Sequence, residues 1–316
     1  MEAHLARDGL IEALHRSRSE ELDELNRAHR PERHRSLLSA WIAGWLRKPE
    51  EPAREPIPTV GVGEVAITFG GHSTVVLGFP RLSIAVNPML GGRLGLVRRA
   101  QGPGVDLAEL STCDLILVTS PASEFLHRRT LARLPTTATI IVPSRCAGRV
   151  SGLGFARVVE LGVGSSLAHR GVDVTATAVR HGGPGTAYVL RGDGPSVYYC
   201  GASGYFSGFA DVGTRFRPDI ALLPISGYSP RSFRDEHMSP LDALYAFEDL
   251  GARLLIPIRH GAFVLSYERL DEPLRWLRRL VADRDLDRYV SPLAVGASCK
   301  FVAPSREPLA AAGPTR

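Results

Sequence analysis

The sequence predicts an α/β (α+β) fold in which two β-sheets pack together with helices outside. Three observations predict it. Short β-type apolar runs recur from residue 64 to residue 258. The early runs are closely spaced, as in a meander of hairpins, and the later ones alternate with helical patterns. The stretch that carries them, about 245 residues, is long enough for two stacked sheets with covering helices.

The runs are EVAITF (64–69), STVVLGF (73–79), LSIAVN (82–87), LILVT (115–119), TIIVP (139–143), VDVTATAV (172–179), AYVL (187–190), SVYYC (196–200), IALLP (220–224) and LLIPI (254–258). A helix is expected over 239–250. Ser239 can cap it, Pro240 suits its first position, and Leu241, Leu244, Tyr245 and Phe247 form its buried face. Another is expected over 273–282, with Leu274, Leu277 and Val281 at helical spacing.

Residues 1–46 read as a helical arm. Leu10, Ile11 and Leu14 form one apolar cluster, and Leu22 and Leu25 a second. Leu37, Leu38, Trp41, Ile42, Trp45 and Leu46 fall mostly on one face of a further helix, flanked by Arg33, Arg35, Arg47 and Lys48. Such an arm packs on its own domain or on a second subunit, or lies in a membrane interface with Trp at the boundary. Its apolar core, residues 37–46, is too short to span a bilayer. Residues 47–58, with four prolines, read as an extended linker. The main domain is then expected over 59–302, and a disordered tail over 303–316.

A hydrophobic content of 44%, with 22% charged residues, is an ordinary soluble balance. The net charge of +5 is spread widely, and no basic stripe is interleaved with aromatics, which argues against nucleic acid. Cys113, Cys146, Cys200 and Cys299 form no CxxC pair, so buried thiols in a reducing, cytoplasmic compartment are expected. Acidic residues come early and no apolar run precedes a cleavage site, so no signal peptide is expected.

FGGHSTVVL (69–77), VNPML (86–90), AVRHGG (178–183), YYCGASGYF (198–206), DIALLPISGYSPRSFRDEHMSPLDAL (219–244) and PIRHGAFVLSYERLDEP (257–273) occur in an order that resembles the metallo-β-lactamase fold superfamily. The similarity is strongest to the branch of N-acylphosphatidylethanolamine-hydrolysing phospholipase D and ascorbate-6-phosphate lactonase-like hydrolases. The resemblance implies an αββα sandwich of two mixed sheets with up to two metal ions at one edge. Such metals supply a hydroxide nucleophile and polarise the scissile bond.

The resemblance also fixes where the metal ligands should be. Setting Thr130 and Leu131 on the family's TL places Ser120 and Ala122 at the first two histidines of H-x-H-x-D-H. Glu124 then stands at the aspartate and Phe125 at the last histidine. Ala202 stands at the bridging aspartate and Asn87 at the D-P aspartate. His181 and His260 keep their ligand positions. A zinc site takes three or four N, O or S ligands, and neither half of this one reaches three. No metal is therefore expected at the family position. Residual zinc, iron or manganese would need a site rearranged from His127, His181, His260 and Glu124.

His72, His181, Tyr205, His237 and His260 are the candidate pocket residues, with Tyr228 at another substrate-facing position. The Gly-rich basic loop 89–104 offers Arg93, Arg98 and Arg99 to a phosphate or lipid headgroup. Two functions follow. One is a catalytically degenerate protein of this fold that binds a small polar or anionic ligand or a protein partner, with the arm serving a homo-oligomer or peripheral membrane contact. The other is an active hydrolase of phosphodiester, lactone or lipid substrates, with a rearranged mononuclear site or metal-free histidine chemistry.

Overall fold

A computed structural model describes residues 20–302. The apolar cluster Leu10, Ile11 and Leu14 and the tail 303–316 lie outside the described residues. The first part of the chain forms α1 (residues 20–28) and α2 (Leu37–Leu46). It continues through β1 (Glu64–Gly71), β2 (Thr74–Phe79), β3 (Leu82–Val86), and the short β4 (Arg93–Leu94) and β5 (Val97–Arg98). Next come α3 (Leu107–Leu110), β6 (Leu115–Leu117), α4 (Arg128–Leu131), β7 (Thr139–Pro143) and β8 (Arg157–Leu161). The second part supplies β9 (Ser166–His169), β10 (Val172–Thr177), β11 (Ala187–Arg191), β12 (Val197–Tyr199), α5 (Gly208–Phe216) and β13 (Ile220–Pro224). It ends with α6 (Pro240–Leu250), β14 (Leu254–Ile258), α7 (Glu272–Ala282) and β15 (Ser298–Val302).

Seven strands form one mixed sheet in the order β15-β1-β2-β3-β6-β7-β8, and six form the other in the order β14-β13-β12-β11-β10-β9. Strands β3, β6, β7 and β8 run parallel, as do β12, β13 and β14. Their inner faces share a core that includes Ile67, Leu77, Ile84, Leu117, Tyr188, Tyr199, Leu222 and Ile256. A second apolar layer joins the outer face of the six-stranded sheet to α5, α6 and α7, and a third lies under α3 and α4. This is the expected αββα sandwich. Parallel strands buried on both faces read as continuous apolar runs, which is why β6, β7, β13 and β14 were visible as such.

α6 starts where Ser239 predicts. Its hydroxyl accepts from Asp242 N, and Asp242 accepts in return from Ser239 N, a reciprocal cap. The N-terminal arm is not continuously helical: residues 29–36 break it, and Leu25 is exposed while Leu22 is buried. It packs on its own domain, where Asn26 donates to Asp242 and the His29 ring stacks on Trp276 at 3.5 Å. Residues 47–58 lie against the sandwich. Glu50 bridges Gln101, Glu55 N donates to Gly296 O, and a Cβ on Gly296 would lie 2.1 Å from Ala53 O. Loops after β3, β6, β10, β12, β13 and β14 carry the site residues. In sheets of this type, ligands gather at the carboxyl ends of parallel strands.

Candidate functional site

The loop after β6 is tightly bonded. Thr119 N donates to Asn87 Oδ1 at 2.9 Å, and Asn87 Nδ2 donates to Thr119 Oγ1 at 2.9 Å and to the Tyr199 hydroxyl at 3.1 Å. Ser120 is buried and accepts from Ala122 N, while Ala122 is exposed at the apex of the turn that Phe125 N and Leu126 N close onto its carbonyl. His127 does not swing toward the site. Its Nδ1 accepts from Thr130 N at 3.2 Å and caps α4. Burial, then Arg129 and Arg99, lower its pKa, which suits a neutral ring in that accepting role.

Beside Glu124, the residue aligned with the family's metal-binding aspartate, this chain places a guanidinium. Arg259 forks onto Glu124, with Nε–Oε2 at 3.2 Å and Nη2–Oε1 at 3.0 Å. Its Nη1 donates to Ser226 O at 2.8 Å, and its charge lies 5.8 Å from the Phe125 ring centroid. His72 Nε2 completes the group at 2.8 Å from Glu124 Oε2. Arg259 and His72 side chains are each 3% exposed and Glu124 16%. Burial alone would raise the Glu124 carboxyl, but Arg259 and His72 outweigh it and hold it far below the usual carboxylate range. Burial lowers His72, so the ring is neutral and donates from Nε2. The main chain supports the pair: Arg259 N donates to His72 O at 2.7 Å, and both residues take left-handed backbone, at φ 59° and 56°. Glu124, read as a weak metal ligand, is thus spent on an ion pair. Phe125 and Ala202 are buried and offer no donor atom. The residues present do not fit the family's dinuclear centre.

A different group of donors does fit one ion. One donor atom each from His181, Glu236 and His237 lie within 4.8 Å of one another. His181 Nε2 is 3.6 Å from Glu236 Oε2, near the ligand spacing of roughly 3.4 Å that follows from bonds of about 2.0–2.2 Å. The two rings stand 5.8 Å apart at 65°. Nδ1 of His181 and Nδ1 of His237 are buried without a hydrogen-bond partner. Burial, then Arg259, depress the His237 pKa to about 3, so the ring is in its neutral, ligating form.

Local sequence explains the convergence. The backbone at Arg180 pairs with Gly204 and sets His181, and Ser203 Oγ accepts from Arg180 N. Glu236 and His237 end a 3₁₀ turn over Arg231–Asp235, both donating to Phe233 O. Two glycines are required. A Cβ on Gly182 would lie 2.4 Å from Glu236 Oε1, and one on Gly227 (φ 97°) would lie 2.5 Å from Arg259 Nη1 and 3.1 Å from His237 Cγ. Of the residues brought together here, His181 and His237 are expected from the sequence, and Glu236 and Arg259 are not. Their signals were the adjacent acid in D-E-H and the cation directly before His260.

Four other expectations need correction. His260 leaves the group: it is 7% exposed, its ring lies 5.5 Å from Phe69, its Nε2 has no partner, and burial lowers its pKa to about 4. Tyr205 stacks on Phe209 in the layer under α5 and α6, and its hydroxyl donates to Asp249 at 2.6 Å. Tyr228 bonds Glu272 and meets the Trp276 ring edge-on, again in the core. Arg99 is buried, donating to Met89 O and Gln101 O over the Phe263 ring, so it cannot reach a surface phosphate. Each loses its proposed role because a nearer partner satisfies it or because the core encloses it. Cys200 points into the core as expected, its thiol pushed up to about 12 by burial.

A family model described as "Beta-lactamase superfamily domain" matches residues 83–260. A UPF0173 metal-dependent hydrolase of Methanopyrus kandleri is 26% identical over 244 residues, covering 73% of this chain and 98% of its own. An uncharacterised protein of Mycobacterium tuberculosis is 25% identical over 255 residues, covering 73% of this chain and 68% of its own. Among solved structures, an isothiocyanate hydrolase from Delia radicum gut bacteria aligns with a TM-score of 0.64 at 17% identity, over 75% of this chain and 99% of its own. The metallo hydrolase Igni18 of Ignicoccus hospitalis aligns at 0.58 and 20%, over 75% and 98%. These structural likenesses concern the fold.

Proposed function

Because the chain belongs to the β-lactamase superfamily, we propose that it is a hydrolase of that superfamily working through a relocated mononuclear site. The observation that carries this is the convergence of His181, Glu236 and His237 on one small volume. Two histidines and one glutamate, with one face left open, are a donor set that catalytic zinc uses. A divalent metal held there supplies Lewis acidity and activation of water. The chain's own residues do the rest. Burial keeps His237 neutral and ready to bind. Arg259, paired with Glu124, stands beside it and further favours the neutral ring. The half-exposed Glu236 leaves the group open to solvent and to a phosphodiester, lactone or lipid substrate.

The test is metal analysis of the full chain, purified without chelator and reloaded with zinc, iron or manganese. About one ion per chain is expected. His181→Ala and His237→Ala should lose it, together with turnover of a phosphodiester and lactone panel. Stoichiometric metal that survives both substitutions would refute the site.

A second reading draws support from the Arg259–Glu124–His72 group, which engages Glu124, aligned with a family metal ligand, in an ion pair. On that reading the fold serves a catalytically degenerate, metal-free binding protein. Protein that stays metal-free after reloading, yet binds a polar or anionic ligand, would favour it.

A further inference from the structure

We infer that the outer face of α2, together with the β4–β5 hairpin, is a docking surface for an anionic lipid bilayer. This rests on surface chemistry and does not depend on the hydrolytic reading.

α2 has no buried residue, although its sequence is almost wholly apolar. Leu37, Trp41 and Gly44 are half-buried toward the domain, and Trp41 Nε1 donates to Val264 O at 2.9 Å. The solvent-facing stripe, at i, i+4, i+7 and i+8, consists of Leu38, Ile42, Trp45 and Leu46. These are 62%, 55%, 42% and 85% exposed. Leu96, at the hairpin tip, is 72% exposed. Trp45 Nε1 donates to Leu96 O at 2.9 Å, so helix and hairpin present their apolar groups in one fixed frame. A contiguous exposed apolar patch of this kind marks an interaction site.

Charge identifies the occupant. Arg93 and Arg98 stand 5.4 Å and 5.8 Å from the Trp45 ring centroid, and Arg47 and Lys48 follow the helix. Arg93 also opens onto a cleft of about 520 Å³ whose other basic walls are Arg128, Arg129 and Arg149, with no carboxylate in its lining. Among the described residues, Arg93, Arg129 and Arg149 have no ion-pair partner. Arg93 and Arg98 flank the apolar face, whereas Arg99 is buried and cannot take part. An apolar stripe with a tryptophan at its border and arginines around it is the composition of an interfacial helix. A second copy of the chain packed on the same face by a two-fold axis would set these arginines against one another.

The experiment is co-sedimentation of the full chain with vesicles of phosphatidylcholine alone and of phosphatidylcholine mixed with phosphatidylglycerol. The mixed vesicles should bind it, with a blue shift in tryptophan emission that Trp45→Phe diminishes. Arg129→Gln and Arg149→Gln should each weaken binding roughly five-fold, and added salt should weaken it further. The triple variant Leu38→Ser, Ile42→Ser, Leu46→Ser should lose at least about ten-fold. Those side chains touch solvent, so the urea midpoint of the triple variant should stay put, which separates lost docking from lost folding. Equal sedimentation of parent and triple variant, or no preference for the anionic vesicles, would overturn the inference. So would a lipid-free dimer in ultracentrifugation that Ile42→Ser disperses, which would assign the face to a second copy.

Discussion

Replacing Arg259 by methionine keeps most of the side-chain volume and removes the charge. Among the described residues, Glu124 is then left with His72 as its one hydrogen-bonding side chain. Removing one member of a buried pair costs about 3–5 kcal/mol. Glu124 is 16% exposed, which places the loss near the lower end, about 3 kcal/mol. For a domain of this size that lowers Tm by roughly 6–12 °C. Glu124→Gln removes the opposite charge and strands the guanidinium, at a cost of about 2–3 kcal/mol. The double variant has neither stranded charge, so it should unfold close to the weaker of the two single variants. The coupling energy is then about 2–3 kcal/mol in a double-mutant cycle measured by urea unfolding. The Glu124 pKa is depressed in the folded state, so the pair contributes fully above the ordinary carboxylate range. Its contribution is lost as pH falls through the folded value, so neutral pH is the right condition for the cycle. A coupling below about 0.5 kcal/mol, the additivity limit, would show that the two groups do not act as a pair.

Two further outcomes follow from buried polar groups. His260 has a folded pKa of about 4, so the native state gains from its neutral form above the ordinary histidine value and loses that gain as pH falls from about 6.5 toward 4. Between about pH 7 and pH 5 the loss is about 2 kcal/mol in urea unfolding. His237, depressed by burial to about 3, adds its own slope over this range, so His260→Leu should remove about 2 kcal/mol of the total and leave the rest, and an unchanged slope would refute the assignment. Asn87→Asp restores the family's D-P pair yet should destabilise the chain by about 1–3 kcal/mol, because Asn87 donates to Thr119 and Tyr199 at a fully buried position. A raised urea midpoint would contradict this.

The architecture was legible because its carriers are local. Apolar runs set the strands of both sheets, and Ser239-Pro240 set the start of α6. Strands β8 and β9 were missed because Arg157, Glu160, Ser166 and His169 break the apolar pattern on exposed edge strands. α5 was missed because Gly208 and Gly213 weaken its helical pattern. Gly213 is needed where a Cβ would lie 2.3 Å from Asp249 O. Half of the site was legible for a similar reason. Family positions named His181, and the surviving motif named His237. The role of Arg259 depends on a contact with Glu124 across 135 residues of chain, which no local pattern encodes. Tyr205 and Tyr228 show the opposite failure: a family position was right in sequence, but carboxylates on α6 and α7 had claimed the hydroxyls.

The guanidinium of Arg259 has one more consequence. A cation attached to the backbone cannot be chelated, scavenged or exchanged for a competing metal. Its effective concentration is set by the chain and not by the surroundings. The edge of the sandwich where β14 ends is thus held together whatever the metal supply. On the proposed reading, holding the fold and binding a metal would fall to different side chains of this molecule.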